Sequence, residues 1–304
     1  MNTPPKIQNQ QIDLPLLREK GVSLFLKRED LIHPLISGNK YRKLKYNLQA
    51  AHDLGHDTLL TFGGAYSNHI LATASAGKEN GFKTIGVIRG EELKAQDYRN
   101  PTLEKAHELG MHFYFVDRKT FRDKEKESFM AHLQQKFGAF YLLPEGGTND
   151  LAIQGCQEIL VEEDKRFDFI CCSVGTGGTM AGLINASKAH QTILGFSALK
   201  GSFLKEAITS FTHNKNWRLR NDYHFGGYAK CNAELIEFIN DFKNKTDIPL
   251  DPVYTGKMLF GIIDSIKNDR FAPESKILAI HTGGLQGIKG MNLVLKNKNL
   301  PTIL

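Results

Sequence analysis

Cysteine is scarce in this chain: there are four in 304 residues, at Cys156, Cys171, Cys172 and Cys231, with no CxxC pair and no histidine at metal-ligand spacing beside them. A disulfide scaffold and a zinc module are therefore not expected, and the composition suits a reduced, cytoplasmic, metal-free protein. Long apolar runs are missing too. Nowhere do eighteen apolar residues follow one another, so no membrane span is expected. The opening MNTPPKIQNQQIDLPLL has neither the apolar stretch of a secretory signal nor the Arg-rich pattern of a transit peptide. Charge of one sign is also lacking. The 39 basic and 33 acidic residues leave +6, and they are mixed along the chain instead of forming a basic arm, which argues against a nucleic-acid partner. The small excess favours at most an anionic small molecule. With 41% apolar and 24% charged residues the chain is neither disordered nor a membrane bundle.

No internal repeat, low-complexity linker or Pro/Ser-rich boundary divides the sequence, so its organisation has to be read from periodicity. At roughly 100–200 residues per domain, the length predicts two domains. Tyr41, Leu44, Leu48 and Ala51 keep three-and-four spacing before Gly55, which predicts an amphipathic helix, and DTLLTF at 57–62 reads as a strand. The alternation continues. Ser67 can cap a helix to about Lys78, TIGVI at 84–88 is a strand, Pro101 opens a helix to Leu109, and MHFYFV at 111–116 is a strand. A charged helix is expected near 123–137, then FYLLPEGG. A second series has a helix from Asn149 to about Glu162, the strand FDFICCSV, a helix from about 178 and the strand TILGFSA. The apolar segment IEFINDF, a helix after Tyr254 and KILAIH follow. Strands separated by helices predict an α/β protein of two doubly wound, three-layer domains with parallel sheets covered on both faces. Within FDFICCSV, Cys171 and Cys172 read as small buried hydrophobes.

Five turns carry the chemistry. SVGTGGT at 173–179 lies between a strand and a helix, where glycines let backbone amides approach an anion and the helix N-terminus adds positive potential. It lacks a P-loop lysine, and Gly175, Gly177 and Gly178 give GxGG, not the dinucleotide GxGxxG. A single phosphate fits best, although a tight connection would read the same way. SGNKYRKL at 37–44 delivers Lys40 to the first turn of a helix, where the macrodipole lowers an amine's pKa and favours a Schiff-base nucleophile. Arg42 and Lys43 are either that helix's solvent face or phosphate partners. TFGGAYSNHI brings Ser67, Asn68 and His69 to another helix start, which suits a carboxylate or phenolate oxygen, with capping as the simpler explanation. LLPEGGTND and AIHTGGLQG are further glycine turns. In a doubly wound sheet all five converge on one face.

Together, LFLKREDL, SGNKYRKLKY, GGAYSNH, PEGGTN, GTGGT, VYTGKMLFGI and HTGG, in this order over most of the chain, resemble the fold-type II pyridoxal-phosphate (PLP) enzymes. They resemble in particular the family of 1-aminocyclopropane-1-carboxylate (ACC) deaminase and D-cysteine desulfhydrase. The resemblance implies a cofactor, pyridoxal 5'-phosphate, linked to Lys40 and gripped at its phosphate by Gly175, Thr176, Gly177, Gly178 and Thr179, with Lys43 beside it. It places Asn68 on the cofactor's phenolic oxygen and Ser67 at the substrate carboxylate or in proton traffic. His69, Tyr228 and Tyr254 fall on the substrate side, and Thr255 faces the pyridine nitrogen. ACC deaminases carry glutamate at the position of Thr255 and tend to carry glutamine at that of His69, whereas D-cysteine desulfhydrases carry threonine at the former. A neutral hydroxyl makes a shallower electron sink than a carboxylate does, sufficient when a good leaving group departs from the β-carbon.

The implied reaction is elimination. Lys40 takes the α-proton of a small, D-configured amino acid such as D-cysteine, a β-substituent leaves, and pyruvate and ammonia result. The alternative is ACC ring opening to 2-oxobutanoate, for which Tyr254, Tyr228 or Lys40 are candidate groups. Outside enzymes, a small-anion binder that kept the fold is expected to have lost Lys40. The resemblance further implies a smaller inserted domain at 47–149, a larger one from 1–46 and 150–304, a cleft between them that closes over the cofactor, and a homodimer.

Overall fold

A computed structural model describes residues 4–96, 100–201 and 203–304. Ten strands occur among them: β1 Asn9–Ile12, β2 Ser23–Lys27, β3 Thr58–Gly64, β4 Lys83–Arg89, β5 Met111–Val116, β6 Tyr141–Leu143, β7 Phe169–Val174, β8 Thr192–Ser197, β9 Trp217–Arg220 and β10 Lys276–Ile280. The helices are α1 Pro15–Glu19, α2 Asn39–Asp53, α3 Asn68–Glu79, α4 Pro101–Glu108, α5 Arg118–Arg122, α6 Glu127–Phe137, α7 Asp150–Gln157, α8 Gly178–Ala186, α9 Leu204–Thr209, α10 Ala233–Thr246, α11 Thr255–Lys267 and α12 Gly287–Asn297. No helix among the described residues is long and apolar enough to cross a membrane.

Two sheets organise these elements. One has the order β5-β4-β3-β6, all parallel; the other has the order β1-β2-β10-β7-β8-β9, parallel except for the antiparallel edge strand β1. The α/β expectation holds in both, and β1 and β2 extend the second sheet with strands that the periodicity did not announce. Central strands are buried on both faces, as helix-covered parallel strands must be: β3 is buried from Thr58 to Gly63 and β7 from Ile170 to Val174. Cys171 and Cys172 are buried in β7.

Helix α2 follows its pattern. Tyr41, Leu44, Leu48 and Ala51 are buried in one cluster with Leu59, Ala72, Ala76 and Leu143 around the four-stranded sheet. Truncating a fully buried leucine such as Leu44 costs about 2–5 kcal/mol, so the helix that carries Lys40 is firmly seated. Three boundaries differ from expectation. The charged helix near 123–137 is two helices, because Asp117 caps α5 and the turn at Asp123–Lys126 separates it from α6. The helix from Asn149 ends at Gln157, and a 3-10 turn spans Glu162–Arg166. IEFINDF belongs to helix α10, where Asn232 caps the start and Leu235, Ile236, Ile239 and Phe242 share the buried face.

Candidate active site

Each sheet has one place where the winding reverses. The chain lays β3, β4 and β5 outward in turn and then sets β6 on the other side of β3; likewise β7, β8 and β9 run outward before β10 joins the other side of β7. Outside the carboxyl ends of strands at such switch points, loops diverge and leave a crevice. Here the loops after β3, β6, β7 and β10, together with the turn before α2, line one cavity that includes Lys40, Asn68, Gly146, Gly175 and Gly283. All five glycine turns of the sequence thus meet. The turn before α2 passes so close to the loop after β10 that a methyl group on Gly38, whose φ is +60°, would stand 1.9 Å from the Thr282 carbonyl oxygen.

Two lysines from the first turns of α2 face this cavity. Lys40 Nζ donates to the Gly146 carbonyl at 3.0 Å, and Lys43 Nζ donates to the same oxygen at 2.9 Å, to Thr148 Oγ1 at 2.8 Å and to Thr176 Oγ1 at 3.4 Å. Neither makes an ion pair with a carboxylate among the described residues. Burial pushes Lys40 well below the ordinary lysine pKa, and the charge of Lys43 adds to that; burial brings Lys43 down to about 8. Buried ammonium groups without a counter-charge are costly, so this cavity is built for an anion. Arg42 is neither solvent face nor phosphate partner. It is buried and donates to both carboxylate oxygens of Glu29, at 3.0 and 2.9 Å.

The loop after β7 supplies the complementary cradle. Gly177 adopts a left-handed φ of +87° ahead of α8, which has no side-chain cap, so the first amides of that helix are left for a ligand. Thr176 Oγ1 lies 2.6 Å from Thr148 Oγ1, and Thr179 Oγ1 accepts from Asn39 Nδ2 at 2.8 Å, joining the cradle to the lysine helix. Gly178 packs against Thr148, where a methyl group would meet the threonine side chain at 2.8 Å. Lysines that lack an anion beside an uncapped helix start fit a phosphate monoester that carries an aldehyde for Lys40. The residues present therefore suit PLP.

The same cavity continues outward into a compartment of about 280 Å³ that shares Lys40, Asn68, Gly175 and Tyr254 and adds Ser67, His69, Tyr228 and Arg89. Ser67 caps α3, its Oγ accepting from the Ile70 amide at 3.4 Å. Asn68 Oδ1 accepts from Gln286 Nε2 at 3.0 Å. His69 is 1% exposed, and neither ring nitrogen has a hydrogen-bond partner. Burial lowers its pKa well below the usual imidazole value, and the charges on Lys40 and Lys43 lower it further, so the ring is neutral. Tyr228 and Tyr254 meet edge to face with centroids 6.3 Å apart. Burial raises the pKa of both phenols, well above 10 in Tyr254, where Tyr228 and Asp251 add to the effect; both are donors at neutral pH.

Thr255 is fully buried behind this wall and does not border the cavity. Its hydroxyl donates to Asp251 Oδ2 at 2.6 Å and accepts from the Asp251 amide at 2.9 Å. Asp251 also accepts from the amides of Val253, Tyr254 and Thr255. This carboxylate is therefore used in capping the start of α11. Sequence reasoning missed Asp251, which stands three residues before the N-cap Tyr254 and so outside the usual capping spacing. It also missed Asn39 and Thr148, which stand inside quoted motifs, and Arg89, a charged residue ending the apolar strand TIGVI. Lys257 was missed as well: it is 1% exposed and donates to the carbonyls of His224 and Gly227, both at 2.8 Å, in the loop that carries Tyr228.

Comparison with known proteins agrees with this chemistry. The profile of a family described as "Pyridoxal-phosphate dependent enzyme" matches residues 5–283. A Pyrococcus abyssi protein named "Putative 1-aminocyclopropane-1-carboxylate deaminase" is 32% identical over 89% of this chain and 87% of its own length. The mitochondrial "Bifunctional D-cysteine desulfhydrase/1-aminocyclopropane-1-carboxylate deaminase" of Arabidopsis thaliana is 31% identical over 88% of this chain and 74% of its own. Among solved structures, one titled as an ACC deaminase homologue superposes with a TM-score of 0.79 at 30% identity, covering 93% of this chain and 91% of that one.

Proposed function

The chain belongs to the pyridoxal-phosphate dependent enzyme family, and from that membership we propose that it catalyses β-elimination on a small D-amino acid such as D-cysteine. With water this gives pyruvate, ammonia and sulfide. The observation that carries the reading is the state of the carboxylates around the cavity. Position 255 is a threonine held by Asp251, Asp251 is saturated by four donors, and Glu145 is paired with Lys124 at 3.1 Å. Among the described residues that line the cavity no free carboxylate is thus available to enforce protonation of the ring nitrogen, and a reaction with a good leaving group needs it least.

Bound PLP supplies an electron-withdrawing ring that stabilises negative charge at the substrate α-carbon. Lys40 is the group that takes the α-proton, since burial and the neighbouring Lys43 charge lower its pKa and so favour the neutral amine. Lys43, Thr176 and the amides at the start of α8 hold the phosphate. The first turn of α3, with Ser67 and Asn68, holds the substrate carboxylate. Neutral His69 has an N–H to offer the departing sulfur, and the two phenols donate along the same wall. Residues 47–149 are proposed as the smaller domain and 1–46 with 150–304 as the larger, with closure between them excluding water.

The relatives' names support a second reading, ACC ring opening. It is less favoured because the raised phenol pKa values keep Tyr228 and Tyr254 protonated, which leaves Lys40 as the remaining candidate to take a β-proton. One panel separates the two. Holoenzyme and Lys40→Ala are incubated with D-cysteine, L-cysteine, D-serine and ACC, and 2-oxoacids are identified. Pyruvate from D-cysteine that depends on Lys40 is expected; 2-oxobutanoate from ACC as the faster product would sink the elimination reading.

A further inference from the structure

Arg89 ends β4 and borders the outer compartment with Ser67, His69, Tyr228, Glu145 and Leu199, but it does not border the inner part of the cavity around Lys43 and Gly177. Its guanidinium stands 5.6 Å from the Phe121 ring centroid, a cation–π contact that leaves its charge unneutralised. It lies against the end of β3, where a methyl group on Gly64 would meet it at 3.4 Å. Among the described residues it makes no ion pair. Among the described residues the one carboxylate that shares this compartment is Glu145, which is bound by Lys124, whose ammonium sits over the same Phe121 ring at 5.2 Å. Once a phosphate has engaged Lys43 and the cofactor has engaged Lys40, Arg89 is, among the described residues lining the cavity, a cation without a paired carboxylate.

We propose that Arg89 is a specificity-determining residue that binds an acidic group on the substrate's β-substituent, so that the preferred substrates are amino acids whose leaving group carries a carboxylate. This rests on the elimination reading above, which assigns the α-carboxylate to the start of α3 beside Lys40. Arg89 lines the same compartment as His69, the residue to which the elimination reading assigns the departing sulfur. A guanidinium held by an aromatic face matches a planar carboxylate in two-point contact better than a lysine does. The reaction is the same elimination with a different leaving group. The Cβ–S bond breaks, the α-proton goes to Lys40, the departing thiolate is protonated, and S-carboxymethylcysteine with water gives pyruvate, ammonia and mercaptoacetate.

The test compares S-carboxymethylcysteine with S-methylcysteine, each in D and L forms, on holoenzyme, Arg89→Gln and Arg89→Lys. Turnover is followed as pyruvate, and binding is measured independently from the change in cofactor absorbance. A charged hydrogen bond of this kind corresponds to a preference of about tenfold or more. Wild type should favour the carboxymethyl compound by that factor in both kcat/KM and Kd. Arg89→Gln should erase the preference by lowering kcat/KM for S-carboxymethylcysteine about tenfold more than for S-methylcysteine, and Arg89→Lys should keep part of it. Equal values for the two compounds in wild type, or an equal loss on both in Arg89→Gln, would overturn the assignment. A binding preference without turnover would uphold Arg89 and fault the elimination reading. Absence of a Lys40-dependent absorbance band would overturn the cofactor reading and this proposal together.

Discussion

Lys43 shows how one residue reports the purpose of its surroundings. A lysine that is 2% exposed, hydrogen-bonded only to neutral oxygens and lowered to about 8 is destabilising until an anion arrives. Between pH 8 and the ordinary value of about 10.4, the unfolded chain holds this proton and the cofactor-free fold does not, so stability of the cofactor-free protein rises with pH through that window. That lowering corresponds to roughly 3 kcal/mol. A bound phosphate restores the proton and removes the dependence. Thermal melts should therefore show the gap between holo and cofactor-free protein narrowing from pH 7.5 to 9.5; a gap that widens with pH would contradict the phosphate assignment. Lys43→Met should weaken PLP binding by about 10–100-fold, measured by equilibrium dialysis, while keeping the fold. At this scale Lys40 was legible as a cation placed against a helix dipole. The pairing of Arg42 with Glu29 was not, because nothing local links residues thirteen apart.

Among the elements, the loop between β9 and α10 depends most on a single side chain. It carries Tyr228, and Phe225, Gly226, Gly227 and Ala229 all have positive φ, a conformation that two of these side chains adopt at a cost of about 1–3 kcal/mol each. The ammonium of Lys257 holds two of its carbonyls. Lys257→Met should increase protease cleavage near Gly226 and lower kcat/KM about tenfold. In a Tyr228→Phe background that kinetic loss should largely vanish, because the two act through one group; full additivity would show Lys257 to be merely structural. The helix cap is a milder case. Ser67→Ala should cost about 1 kcal/mol of stability, read by urea denaturation. Elements with a strong period or cap, such as α2, α3 and β3, were legible in the sequence. Four-residue β1 and β9 were not, since strands that short hold their place through neighbours and not through their own pattern. IEFINDF is apolar enough to read either way, and only the cap at Asn232 decides it.

For the whole molecule, the site follows from topology. Reversal of winding at β3/β6 and at β7/β10 opens two crevices, and the turn at Gly38 crosses to the loop after β10 so that Lys40 serves both. Gly38→Ala should cost more than about 2 kcal/mol and abolish PLP binding, since the Thr282 carbonyl leaves no room for a side chain; a stable, cofactor-binding variant would show that this crossing is dispensable. That glycine turns would converge could be read from the alternation of strands and helices. Which turns face each other depends on strand order, which is set by long-range packing. The most direct measurement is borohydride reduction of the holoprotein followed by peptide mass mapping. A pyridoxyl phosphate adduct on Lys40 is predicted; an adduct confined to Lys43 or Lys257, or none at all, would contradict the site as built here.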